Sequence, residues 1–136
     1  MIYQINYAAL IDFDRGRKGI EIPVTLRCGG KSVTNNAKLD TGSTDCIFER
    51  WQGEMLGLDI ESGSPQKFST ATGIFQTYQH WVSLSVAHLA FDVPVYFAKD
   101  YEFNRNILGR HGFTQITRFG LIDYDGKLFL SHRDDE

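Results

Sequence analysis

The sequence predicts a mainly β protein, and three observations carry that prediction. Ile20, Ile22, Val24, Leu26 and Cys28 alternate with Glu21, Thr25 and Arg27, the period of two expected of a half-buried strand. Gly29-Gly30 follows at once and is a two-residue hairpin signal. Far along the chain, Val82, Leu84 and Val86 alternate in the same way with Trp81, Ser83 and Ser85. The 136 residues suit one domain over residues 1–136, and an apolar fraction of 42% suffices for one core.

In chain order, residues 1–12 are rich in Ile, Tyr and Leu and are expected to contain a strand. Asp14 to Gly19 forms a charged, glycine-bounded turn. The strand ending at Cys28 returns through Val33, Ala37 and Leu39 and stops at Asp40-Thr41-Gly42. Ile47 to Leu56 reads as a short helix with Gly57 as its stop, and Asp59 to Pro65 as a turn-rich connector. Thr70-Ala71-Thr72-Gly73 interrupts two extended stretches, which predicts a long hairpin with its tip near Gly73. Val93 to Ala98 is a further short strand, and Arg110 to Phe119 is expected to be a helix stopped at Gly120. Leu121 to Tyr124 and Lys127 to Leu130 form a closing hairpin around Asp125-Gly126.

Composition narrows the function. Fourteen basic and 17 acidic residues leave a net charge of -3 without a long run of one sign, which argues against a nucleic-acid partner. No stretch approaches the roughly 18 apolar residues of a membrane helix, and no leader-like segment opens the chain, so a cytoplasmic protein without membrane contact is expected. Cys28 and Cys46 are too few for a disulfide framework and are read as buried thiols. His80, His88, His111 and His132 lack metal-ligand spacing, so neither a metal nor another cofactor is expected. A Ser-His-Asp triad is a spatial arrangement that counting does not decide, but no Gly-x-Ser-x-Gly elbow is present. A Cys46-His pair has no supporting context either, and no glycine-rich nucleotide loop is found.

Two motifs carry chemistry. Leu39-Asp40-Thr41-Gly42-Ser43 resembles the active-site signature of aspartic proteases, at the end of an apolar strand that follows a hairpin. Alone, Asp-Thr-Gly is also what a turn aspartate looks like. The second motif, Asn106-Ile107-Leu108-Gly109-Arg110, decides for catalysis: it resembles the apolar-apolar-Gly-Arg motif of retroviral-type, single-domain aspartic proteases. Gly109 lies 69 residues beyond Asp40, with the Gly73 hairpin between them where those enzymes carry a flap. Pepsin-like enzymes carry two aspartate motifs, whereas this chain has one and about half their length.

The resemblance implies a retropepsin-like acid protease fold: a closed, barrel-like β-sheet, a flap hairpin and one or two short helices. It further implies a homodimer without cofactor that hydrolyses an extended peptide or protein. Asp40 matches the catalytic aspartate, Thr41 the threonine that ties the two active-site loops together, and Gly42 the glycine near substrate. Ser43 takes a position that is commonly Ala or Ser. Gly109 and Arg110 match the later motif, in which the arginine braces the active-site region through a carboxylate. An ordinary solvent-facing residue is the competing reading of Arg110. Thr72, Gly73 and Ile74 match the flap, with Phe75 or Tyr78 lining pockets. Two departures stand out. Thr44 occupies the position where retroviral enzymes usually place an aspartate, with Asp45 one residue on, so Arg110 pairs with Asp45 or with another acceptor. The flap holds a single glycine, and neither terminal segment matches the viral enzymes.

Such chemistry needs one group that takes a proton from water and one that gives a proton to the carbonyl oxygen. Two carboxylates within hydrogen-bonding distance share one proton and fill both roles. A monomer with Asp40 alone lacks the second carboxylate. The competing function is a catalytically inactive retropepsin-like module that binds an extended peptide or simply dimerises.

Overall fold

The computed structural model describes residues 1–135. Antiparallel strands β2 (Glu21–Cys28) and β3 (Lys31–Leu39) pair from Glu21 opposite Lys38 to Cys28 opposite Lys31. Gly29 and Gly30 turn between them at φ of 55° and 82°. Left-handed backbone at both central positions gives the turn whose twist matches the flanking strands, and glycine adopts it without steric cost. Ile22, Val24 and Leu26 face inward from β2, and Val33, Ala37 and Leu39 from β3, as the alternation predicts.

Strands β4 (Ile47–Phe48), β5 (Ser64–Thr70), β6 (Gly73–Val86), β7 (Leu89–Ala98) and β8 (Ile107–Leu108) complete a sheet of order β2-β3-β8-β4-β7-β6-β5. An additional pairing sets Leu26 of β2 opposite Leu84 of β6, closing the strands from β2 to β6 into a ring with β5 outside. Closure removes the open edges of the ring and encloses a core in which Phe48, Phe97 and Phe113 are fully buried. Strand β1 (Ala9–Asp12) pairs with β10 (Lys127–His132), and β10 with β9 (Thr117–Ile122), in a separate three-stranded sheet. Ala9, Ile11, Leu128 and Leu130 join that sheet to the same core. The architecture is mainly β, as the sequence predicts.

Four local expectations are corrected. Helix α1 spans only Arg50–Met55, because Ile47 and Phe48 are both buried and pair in parallel with Tyr96 and Phe97. The connector after it holds a short 3-10 turn at Ile60–Ser62, and Ser64 and Pro65 already belong to β5. Strand β7 starts at Leu89 rather than Val93, after a tight turn in which Ala87 takes φ of 53°. The helix expected over Arg110 to Phe119 is one wide turn, Arg110–Thr114, followed by strand. Thr117 and Phe119 suit a strand, and β10 supplies the distant partner that propensity alone does not reveal.

Arg50 anchors α1 to the rest of the chain. Its guanidinium reaches both carboxylate oxygens of Glu61 at 2.6 and 2.7 Å, the Glu54 carboxylate at 3.2 Å and the Lys99 carbonyl at 3.1 Å. It also lies 5.5 Å from the centre of the Tyr101 ring. The hydrogen bonds from Arg50 hold the Glu61 carboxyl below its ordinary range. A lowered folded value means that the contribution is complete above the unfolded value of about 4.3 and is lost as pH falls through the folded one. Glu61→Gln is therefore expected to lower Tm at neutral pH, with the gap to the natural chain closing as pH drops from about 7 toward about 3. Melting curves across that range check it, and a gap independent of pH would assign Glu61 no electrostatic contribution.

Candidate active site

Asp40 follows the last residue of β3, where the chain leaves one neighbour for another. The N–H of Leu39 donates to Ile20 O at 2.8 Å, and that of Lys38 to Asn106 O at 2.8 Å. The N–H of Asp40 then donates to Leu108 O at 3.0 Å. Strand β8 thus grips the backbone on both sides of the turn into the loop. Within the loop, the Gly42 N–H donates to Asp40 Oδ1 at 2.9 Å, and the Ser43 N–H to Asp40 O at 3.1 Å. These bonds orient the carboxylate and leave Oδ2 without a hydrogen bond among the described residues. Thr41 and Gly42 are exposed, and the Thr41 hydroxyl likewise has no partner there.

The second motif packs directly against this loop. Gly109 is buried, and a Cβ on it would press into Asp45 O and lie 2.8 Å from Ser43 O. Only a residue without a side chain admits that approach. Beyond it, the N–H groups of Arg110 and His111 donate to Ser43 O and Thr44 O, both at 2.9 Å. The wide turn closes with N–H bonds that reach back five residues, from Thr114 to Gly109 O and from Gln115 to Arg110 O. The Asp45 carboxylate meets His111 rather than Arg110: His111 Nδ1 lies 3.3 Å from Asp45 Oδ1, while the Thr44 hydroxyl donates to Oδ2 at 3.1 Å. Arg110 is exposed and joins no ion pair among the described residues. The aspartate and its basic neighbour are both displaced by one residue, so the contact sits one position along on each side.

Cys46 lies beneath the loop and accepts the Gly109 N–H at 3.4 Å. Burial pushes its thiol up to about 12, so it stays protonated near neutral pH and is no nucleophile. The Cys-His pairing weighed from the sequence therefore has no reactive thiol at this position.

Thr72, Gly73 and Ile74 lie at the end of the β5–β6 hairpin, whose tip is Ala71-Thr72, with Thr70 opposite Gly73. Its underside is aromatic. Phe75 stacks on Phe103 at 4.8 Å and on Phe68 at 5.7 Å, and Phe68 meets the edge of Tyr96 at 5.2 Å. A cavity of about 380 Å³ lies beneath the tip, and one of about 550 Å³ lies beside Asp40. Both are lined in part by Asn104 and Arg105, so the two cavities adjoin at the loop before β8. Tyr78 is partly buried and packs against the core rather than lining either cavity.

Several residues around the cleft have roles that the sequence does not reveal. Asn106 accepts from the Glu49 N–H at 3.1 Å and from Gln52 Nε2, and its Nδ2 donates to Glu49 Oε1 at 2.8 Å. Gln52 is almost fully buried, so this network ties α1 to β8 next to the aspartate loop. Phe103, Asn104 and Arg105 are brought to the cleft by the loop before β8, and adjacency to the second motif is their only signal in the sequence.

A model of the aspartyl protease family matches residues 22–111, a span that contains both motifs. No curated protein matches the chain. Among solved structures, a retropepsin-like aspartic protease from Rickettsia conorii is similar at 17% identity with a TM-score of 0.64, over 94% of this chain and all of that one. The EIAV protease, solved with the inhibitor HBY-793, is similar at 18% identity with a TM-score of 0.54, over 68% of this chain and 83% of its own. The similarity in fold extends over most of the chain at low identity.

The packing separates three neighbouring residues by their expected effect. Gly109→Ala forces one backbone segment away from another and is expected to cost about 1–3 kcal/mol or more. His111→Ala removes a contact from a largely exposed ring, worth about 0–1 kcal/mol, and Arg110→Ala should fall within the same small range. Urea unfolding of the three variants checks this order. Equal midpoints would mean that the loop yields freely at Gly109.

Proposed function

This chain belongs to the aspartyl protease family, and on that premise we propose that it is an endopeptidase whose active site forms between two copies, each supplying Asp40. One observation supports this reading above the others. The single Asp40-Thr41-Gly42 loop presents a backbone-oriented carboxylate with one free oxygen, beside an exposed threonine hydroxyl without a partner. A loop complete in itself would have used those groups. A second copy placed about a twofold axis supplies a partner for each: carboxylate to carboxylate and hydroxyl to backbone.

The paired carboxylates hold one proton between them, because two negative charges at that distance repel. The ionised member takes a proton from a bound water as its oxygen attacks the peptide carbonyl carbon. The protonated member gives its proton to the carbonyl oxygen, and a tetrahedral diol results. The roles then exchange as the carbon–nitrogen bond breaks and the amine leaves protonated. An extended peptide lies along the cleft, covered by the hairpin tip at Thr72, Gly73 and Ile74, which limits access of water. In this arrangement Ser43, Asp45 and Gly109 support the loop, with His111 as the neighbour of Asp45. The side chain of Arg110 is free for a contact outside its own chain. No helix among the described residues is long and apolar enough to cross a membrane.

Asp40→Asn keeps the shape and one oxygen acceptor but carries no exchangeable acid proton. It is expected to lower peptide hydrolysis at least about 100-fold while leaving fold and association intact. Specific activity of the natural chain should rise with protein concentration until the dimer is saturated, and its rate should follow a bell-shaped dependence on pH. Cleavage of a peptide library, read by mass spectrometry at several concentrations, tests both statements. Activity from a stable monomer would remove the shared site, and a natural chain that binds peptides without cleaving them would be a binding module.

A further inference from the structure

The charges that surround Asp40 bear on which peptides the cleft accepts, given the protease reading above. Of the carboxylates in the cavity beside Asp40, two are already engaged: Glu21 lies 3.6 Å from Arg17, and Glu49 accepts from Asn106 Nδ2 at 2.8 Å. Two cations of the same cavity are not. Lys38 and Arg105 are exposed, and among the described residues neither side chain enters an ion pair or hydrogen bond. The fold brings them together. Lys38 stands two residues before Asp40, on the same face of the strand, and pairs with Ile107, two residues beyond Arg105. Arg105 also lines the cavity under the hairpin tip, so it stands between the two cavities. At the hairpin end the sign reverses, with Asp100 and Glu102 in the wall.

We infer that the cleft selects peptides with an aspartate or glutamate beside the scissile bond, received by Arg105 and Lys38 in the cavity next to Asp40. A guanidinium offers paired donors that match both oxygens of a carboxylate, and Lys38 adds a second point of positive charge. Asp100 and Glu102 repel the same side chain from the hairpin end, so the charge pattern directs it as well as holding it. In an extended peptide alternate side chains face opposite ways, so each copy reads one side chain, and the twofold axis repeats the site on the other side of the scissile bond.

Peptides that differ only in Glu, Gln or Lys at each position flanking the cleaved bond test the assignment. The natural chain is expected to show kcat/KM about ten-fold or more higher for Glu than for Gln at one or both positions flanking the bond, mainly through KM and shrinking with added salt. Arg105→Gln and Lys38→Gln should each move the Glu-to-Gln ratio toward one, and Arg105→Glu should turn the preference toward Lys. Cleavage with equal rates for Glu and Gln, or with Lys preferred by the natural chain, overturns the acidic subsite and leaves the protease reading standing. Anisotropy titrations of the same labelled peptides with Asp40→Asn separate the two ideas. Tighter binding of Glu than Gln by that variant, with a natural chain that cleaves none of them, would keep the subsite and remove the protease reading. Equal binding of Glu and Gln would overturn the subsite whatever the cleavage result.

Discussion

Asp40 is held by a parallel pairing between segments far apart in the chain. Lys38 and Asp40 donate their N–H groups to Asn106 O and Leu108 O at 2.8 and 3.0 Å, and everything at the candidate site hangs from those two bonds. Because β3 continues into the aspartate loop and β8 into Gly109, the pairing sets both motifs side by side. The absent side chain at Gly109 then lets the loop carbonyls of Ser43 and Asp45 close on it. A pairing over such a sequence separation carries a loop-closure cost, which the surrounding barrel has to offset. The ring from β2 to β6 does so by burying strands on both sides of the joint, with Leu39 and Leu108 inside.

Rigidity is distributed unevenly around that joint. The floor is over-determined: Asn106 is tied through Glu49 and Gln52 to α1, α1 is tied through Arg50 to Glu61, and Cys46 packs under Gly109. The roof is a two-stranded hairpin that extends past the ring, with Thr72 and Ile74 exposed at its end and an aromatic stack as its main support. Few buried contacts at the tip and many at the floor make the hairpin end the least constrained part of this region.

The contact between Asp45 and His111 shows how a motif can be kept while its parts move. The turn after Gly109 is wound wide, and the residue that reaches the carboxylate is the one after Arg110. A histidine ring on the surface binds a carboxylate more weakly than a bidentate arginine, so the backbone bonds from Arg110 and His111 to Ser43 O and Thr44 O carry more of the loop's order.

Much of the scaffold was legible in local patterns. Alternation located β2 and the last part of β6, two glycines located the first hairpin and its return through β3, and the short motifs around Asp40 and Gly109 pointed to the family. These features are local: a strand's period and a turn's required φ are written into neighbouring residues. The segment after Gly109 is not legible as strand because Thr117 to Ile122 becomes one only through β10, and Ile47-Phe48 only through β7 and β8. The lining of the cleft was hidden for the same reason. Asn104 and Arg105 have no periodicity and no motif of their own, and His111 is one histidine among four. Their place beside Asp40 depends on which distant strands pair, and that is decided by burial of the whole core rather than by any short run of residues.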